Sequence, residues 1–241
     1  MTTGGEDDAA ARRATTAVDV ERALADVDAI RRRVVNVVGH ALRTPVTTMA
    51  GMAAALATTT DEATRATLVD GLVRNAGRVE RLLDDLLVAV GVTTALPIDD
   101  AEATPVHATL AVAWDSVGGT GPLAVDGPEM LAHVQPSAFA RLAELLLDNA
   151  LKYGHGVVRI TTERTQLGVR IEFESAGDGP TDEEVEKAFE LLYRGEHAVM
   201  TAPGLGVGLA VARELAQANG GAVSFDRRGS WVVTTVDLPA A

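Results

Sequence analysis

Cysteine is missing from all 241 residues. That excludes a disulfide framework, a thiolate metal site and thiol redox chemistry. Aromatic residues make up only 3% of the chain, so a core must be assembled from Ala, Val and Leu. Positive charge is in short supply: 21 Lys and Arg stand against 34 Asp and Glu, a formal net charge of −13. A surface of that sign repels phosphate backbones and anionic bilayers, which argues against nucleic acid or a membrane surface as the main partner. No apolar run approaches the ~20 residues a spanning helix needs. Met1 to Ala11 is polar and acidic, unlike a secretory leader. These absences predict a soluble, cytoplasmic protein with no membrane span. What is present, 47% apolar and 23% charged residues, is ordinary for a globular chain with room for one or two domains.

Residues 1–16 lack apolar periodicity and are expected to be a disordered tail. From Ala17 to Ala57, Val20, Leu24, Val27, Val34, Val38, Leu42 and Met49 keep a three-and-four repeat. Thr58-Thr59-Thr60 breaks it, and a second amphipathic stretch runs from Asp61 to Val90. Residues 17–95 therefore predict a helical hairpin, and residues 96–104, with Pro97, Asp99, Asp100 and Glu102, a linker. A lone hairpin cannot cover both apolar stripes. Pairing with a second copy into a four-helix bundle would do so, making a homodimer; the alternative is a hairpin that folds back on its own C-terminal half. Residues 105–241 alternate helical and strand texture. Helices are expected over Ala108–Ser116, Ser137–Tyr153 and Val207–Asn219. Strands are expected at Leu123–Val125, His133-Val134, Val157–Arg164, Val169–Glu174, Ala222–Asp226 and Ser230–Leu238. Thr181 and Glu184 make a capping box. Together these predict an α/β sandwich with a mixed, largely antiparallel sheet.

Three groups of residues carry chemistry. In Val38-Gly39-His40-Ala41-Leu42-Arg43-Thr44-Pro45, the spacing puts His40, Arg43 and Thr44 on one helical face, and Pro45 predicts a bend one turn on. In Asp148-Asn149-Ala150-Leu151-Lys152-Tyr153, a helical Asn can offer its amide oxygen to Mg²⁺, Lys152 on the same face can reach a phosphate, and Tyr153 can lie against a purine. Gly204-Leu205-Gly206-Val207-Gly208-Leu209 opens directly into a helix, so close backbone approach and free N–H groups suit a phosphate. It is not a P-loop, since no Lys-Ser/Thr follows. A second glycine turn, Ser175-Ala176-Gly177-Asp178-Gly179-Pro180, follows a strand.

In this order the segments resemble a bacterial two-component sensor histidine kinase. His40 to Pro45 is similar to its phosphoacceptor box. Asn149 to Tyr153, Gly177 to Gly179, Phe189 to Arg194 and Gly204 to Leu209 are similar to the boxes of the Bergerat-type (GHKL) ATP-binding fold. The resemblance covers roughly residues 20–240, and no sensor part is expected within them. It implies that His40 is the phosphorylated residue and that Thr44 orients water for dephosphorylating the partner, with Arg43 beside them. It implies that Asn149 binds Mg²⁺, and that Lys152, Tyr153, Ser175, Gly177, Gly179, Gly204, Gly206, Gly208 and Leu209 line the ATP site. Arg194 to Pro203 would be the lid, and a response-regulator receiver domain the partner.

Three positions depart from the family pattern. Ala41 stands where an acid usually helps draw off the imidazole proton, help typically worth ~10²–10⁴-fold. Leu145 replaces the first Asn of the asparagine helix and cannot ligate metal or hold a water. Ser175 replaces the Asp that bonds the adenine amino group; a charge-assisted bond is roughly twice as strong as a neutral one. The expected function is ATP-driven phosphorylation of His40 with transfer to a receiver Asp. The alternative is an ATP-independent phosphotransferase or phosphatase with a degenerate ATP domain.

Overall fold

The computed structural model describes residues 38–39, 41–89, 99–154, 158–177, 180–195 and 205–241. The chain divides after Thr44 into two compact units. Residues 41–58 are helical (α1), and Pro45 lies inside this stretch. The helix runs on through the proline, which deprives the Ala41 carbonyl of its donor. The expected helix start at Ala17 and the tail over 1–16 fall outside the described residues.

A short loop over 59–61 leads into α2 (Glu62–Ala89). Asp61 starts it: its carboxylate accepts the Thr64 N–H at 2.8 Å and the Thr64 hydroxyl at 2.6 Å, satisfying a first-turn donor. Arg65 closes the loop by donating to the Leu56 carbonyl at 3.2 Å. Gly71 is buried against α1, and a Cβ there would lie 2.9 Å from the Met52 sulfur. The missing side chain lets the two helices approach. The far end of α2 packs against the C-terminal half of the chain, while Val69, Val73 and Leu83 stay exposed on another face. The hairpin thus leans on its own C-terminal half and still leaves an apolar stripe uncovered.

The C-terminal half holds β1 (Glu102–Pro105), α3 (Val106–Ser116), β2 (Val125–Asp126), β3 (Leu131–Val134), α4 (Pro136–Tyr153), β4 (Val158–Arg164), β5 (Val169–Ala176), α5 (Asp182–Lys187), α6 (Gly208–Ala218), β6 (Ala222–Arg228) and β7 (Trp231–Leu238). Five strands form one sheet in the order β2-β4-β5-β7-β6, parallel only at β2–β4. Helices α4 and α6 pack on it, and α3 packs on α4, giving the expected α/β sandwich. Phe139, Leu142 and Leu147 of α4, Ile160 and Ile171 of the sheet, and Val211 and Leu215 of α6 are almost fully buried, each contributing about 1.5–3 kcal/mol by removal from water. The other sheet face carries charge pairs instead: Arg170 with Asp237 at 2.8 Å, Arg228 with Glu172 at 2.8 Å, and Arg159 lying 4.7 Å from the Trp231 ring centre.

The linker expectation gives way at its C-terminal end. Glu102 to Thr104 continue into Pro105 as β1, an antiparallel partner of β3 with Thr104 opposite Ala132. The acidic composition reads as linker, yet Thr104 within it is buried. Asp99 is also tied down. Its carboxylate accepts the Ser137 N–H at 2.9 Å and the Ser137 hydroxyl at 2.6 Å, capping α4, whose own preceding residue Gln135 makes no side-chain cap. Pro136 begins the helix without needing a donor. The strand expected at Leu123–Val125 is confined to Val125–Asp126.

Candidate functional site

Helical spacing puts Arg141, Leu145, Asp148, Asn149 and Lys152 of α4 along one side of that helix, and all five line a single cleft of about 670 Å³. Ser175 at the end of β5, Tyr193 and Arg194 after α5, and Leu205 to Leu209 at the start of α6 complete the wall within the sandwich. Arg78, Arg81, Leu82 and Asp85 of α2 line it as well.

Helix α6 begins at Gly208, and Val207 before it supplies no side-chain cap. Its first N–H groups are therefore open at the cleft, with the positive end of the helix dipole behind them. Gly206 has φ +72°, and a Cβ there would run into the Tyr193 carbonyl. Tyr193 follows Leu192, the one non-glycine residue with positive φ (+62°) among the described residues. A left-handed leucine costs roughly 1–2 kcal/mol, held in place because Leu192 is buried. The glycine loop and this strained turn are thus seated directly on each other. Burial pushes the Tyr193 phenol up, with the nearby Glu184 carboxylate adding to it.

Asn149 is half-buried in the cleft and makes no side-chain hydrogen bond among the described residues. Its amide oxygen is available to a hard cation that keeps most of its water. Lys152 reaches back one turn to pair with Asp148, so its ammonium already faces a carboxylate. Leu145 is buried, and its Cδ2 lies 3.9 Å from where a Gly208 Cβ would stand. Ser175 is buried behind Gly154; a Cβ on that glycine would lie 2.8 Å from the Ser175 Cβ. The residues present fit a nucleotide: an uncapped helix start for phosphate, one asparagine for Mg²⁺, and a polar side chain at the closed end.

The cleft brings together Asn149, Lys152, Tyr153, Ser175, Gly206, Gly208 and Leu209. Gly177 is not part of its lining; its N–H donates to the Ser230 carbonyl at 3.1 Å and closes the sheet end. His40, Asp178, Gly179 and Gly204 lie outside the described residues, as does most of the expected lid. Arg43 and Thr44 are exposed on α1.

Sequence reasoning missed a network on the cleft wall. Arg141 donates through Nη2 to both carboxylate oxygens of Asp85 at 2.7 Å, and through Nη1 to Glu144 at 2.9 Å. The Ser116 hydroxyl donates to Glu144 at 2.7 Å. Burial raises the Asp85 carboxyl above its ordinary value, and Arg141 offsets only part of that. Burial also works against the Arg141 charge, but Asp85 and Glu144 more than compensate and hold its pKa above the usual value. The i,i+3 step from Arg141 to Glu144 was the available signal.

Residues 135–240 match the family described as histidine kinase-, DNA gyrase B- and HSP90-like ATPase. Residues 30–89 match the His Kinase A (phospho-acceptor) domain. A bacteriophytochrome of Pseudomonas aeruginosa is 31% identical over 229 residues, covering 89% of this chain and 30% of the relative. Sensor protein KdpD of Mycobacterium tuberculosis is 30% identical over 234 residues, 90% of this chain and 27% of the relative. The chain thus spans about 30% of the length of these curated relatives. The solved Acinetobacter baumannii histidine kinase AdeS shares the fold with a TM-score of 0.59 at 21% identity, over 83% of this chain and 98% of that one.

Proposed function

The chain belongs to the two-component sensor histidine kinases, and on that premise we propose that it phosphorylates its own His40 from Mg-ATP and passes the group to an aspartate of a response-regulator receiver domain in the cytoplasm. The observation that carries this reading is the uncapped start of α6 opening on the same cleft as the Asn149 amide, which makes no hydrogen bond among the described residues. Residues Gly206 and Gly208 and the α6 N–H groups would hold the phosphates, Asn149 the Mg²⁺, and Ser175 and Tyr153 the adenine side. Bound Mg²⁺ supplies neutralisation of the phosphate charge. In the transfer the bond from the γ-phosphorus to the β–γ bridging oxygen breaks, a bond from an imidazole nitrogen to that phosphorus forms, and the ring proton leaves to water. Phosphoryl transfer asks mainly for positioning and charge stabilisation. With Ala41 in place of an acid, the residue that follows His40 offers no carboxylate to draw off that proton, and turnover is slow. Arg43 and Thr44 share the His40 face by spacing, Thr44 orienting the water that hydrolyses the regulator's aspartyl phosphate.

The exposed apolar stripe of Val69, Val73 and Leu83 supports a homodimer through the hairpin, with the domains divided as 17–95 and 105–241. Among the described residues no helix is long and apolar enough to cross a membrane.

A second reading has its own observation: Leu145 puts a buried apolar side chain in the cleft. It favours an ATP-independent phosphotransferase or regulator phosphatase acting through His40 and Thr44. Calorimetric titration with ADP and Mg²⁺, together with labelling by γ-phosphate-labelled ATP, separates the two. Binding plus acid-labile label that disappears in His40→Ala supports the kinase. Neither heat nor label rejects it in favour of the second reading, and label surviving in His40→Ala rejects the site.

A further inference from the structure

The charged side chains inside the cleft are nearly all committed to one another. Arg141 holds Asp85 and Glu144, Lys152 holds Asp148, and Glu184 accepts the Thr181 N–H at 2.8 Å in the α5 capping box. Arg194 is engaged within the protein. Arg78 and Arg81 differ. They stand three apart on α2, line the cleft with exposed side chains, and neither is hydrogen-bonded or ion-paired among the described residues. Of the two carboxylates a turn beyond Arg81, Asp84 and Asp85, the one that lines the cleft, Asp85, is already bound at both oxygens by Arg141. Arg81 feels the Asp85 charge, but in a chain of net charge −13 these two guanidiniums face the cavity with no hydrogen bond or ion pair among the described residues.

The same cavity contains the uncapped start of α6 and Asn149. We propose that Arg78 and Arg81 are phosphate ligands of the bound nucleotide, so that its polyphosphate joins the second hairpin helix to the ATP-binding domain. This rests on the reading of the cleft as a nucleotide site. With Lys152 spent on Asp148, and Leu145 and Ser175 weak in polar contacts, the α/β domain alone offers little charge to a triphosphate. A guanidinium fork matches phosphate oxygens two at a time, and the i,i+3 spacing sets the pair side by side on a rigid element. Both residues lie outside residues 135–240, the part matching the ATPase family.

The test is calorimetric titration of the whole chain with adenosine, ADP and a non-hydrolysable ATP analogue, each with Mg²⁺ at about 0.1 M salt, where charges beyond ~10 Å are largely screened. The proteins are wild type, Arg78→Gln/Arg81→Gln, Arg78→Lys/Arg81→Lys, and Arg164→Gln, which removes one positive charge outside the cleft. The Gln pair should weaken the triphosphate analogue at least about tenfold, ADP less, and adenosine not at all. The Lys pair should recover part of the loss, and Arg164→Gln should bind like wild type. Wild-type affinity for the analogue in the Gln pair overturns this proposal and leaves the nucleotide reading standing. Equal loss for adenosine and triphosphate overturns it too, since that marks a damaged fold. A wild type that binds none of the three overturns both.

Discussion

Asp85 and Arg141, 56 residues apart in the chain, meet in a two-point bond with both Nη2 distances at 2.7 Å. The bond ties the hairpin's second helix to the asparagine-bearing helix beside the cleft. Asp85 is 7% exposed, so it depends on this partner. Arg141→Met leaves a buried carboxylate uncompensated and should cost about 3 kcal/mol in urea unfolding. Asp85→Asn should cost less, because Arg141 keeps Glu144. The pH dependence has a definite sign. A carboxyl raised above its ordinary 3.8 binds its proton more readily folded than unfolded. Its contribution is fully present below 3.8 and is lost as pH rises through the raised folded value. Wild type should therefore lose stability relative to Asp85→Asn as pH climbs from 3.8 to that raised value; a flat difference over that range would count against the burial effect.

The Asp99 cap behaves in the opposite way. Hydrogen bonds from the Ser137 hydroxyl and N–H hold its carboxyl below the usual value. That stabilisation is present above 3.8 and fades as pH falls through the lowered folded value. Asp99→Ala should cost about 1 kcal/mol at neutral pH, and the deficit against wild type should shrink in acid, as read from thermal unfolding on the two proteins across a pH series.

Ser175 sets a nucleotide prediction. A hydroxyl both donates and accepts, so it discriminates poorly between the amino group of adenine and the carbonyl of guanine. Ser175→Asp should raise ATP-analogue affinity about tenfold, lower that for the GTP analogue, and reduce the melting temperature of the ligand-free protein, because a buried carboxylate then lacks a partner. Unchanged selectivity would place the base elsewhere in the cleft.

The apolar stripe on α2 predicts the assembly. Val73 is 67% exposed and Val69 44%, so a charge there should leave the subunit folded and act on association alone. Sedimentation equilibrium should find wild type dimeric and Val69→Asp/Val73→Asp monomeric, with the same far-UV circular dichroism per residue.

What the amino-acid sequence determined by itself is what local physics controls. Apolar periodicity, the Asp61 start, the Thr181–Glu184 box and the Gly220 stop placed α2, α4, α6 and β4 to β7 within a few residues. The asparagine helix and glycine loop were legible for the same reason, being short patterns along one element. The four-residue step from Asp148 to Lys152 was there too, although Lys152 was expected to reach a phosphate and pairs with Asp148 instead. Tertiary structure alone decided what depends on distant partners. Strand β1 exists because β3, some thirty positions on, offers it an edge, and Asp99 caps a helix it does not adjoin. Asp85 needs Arg141, Leu192 is held left-handed by its burial, and Arg78 and Arg81 join the cleft only because α2 packs there. Backbone propensity acts over a turn or two of chain, whereas charge pairing and burial act through space, and the chain that brings such partners together leaves no periodic trace in either segment.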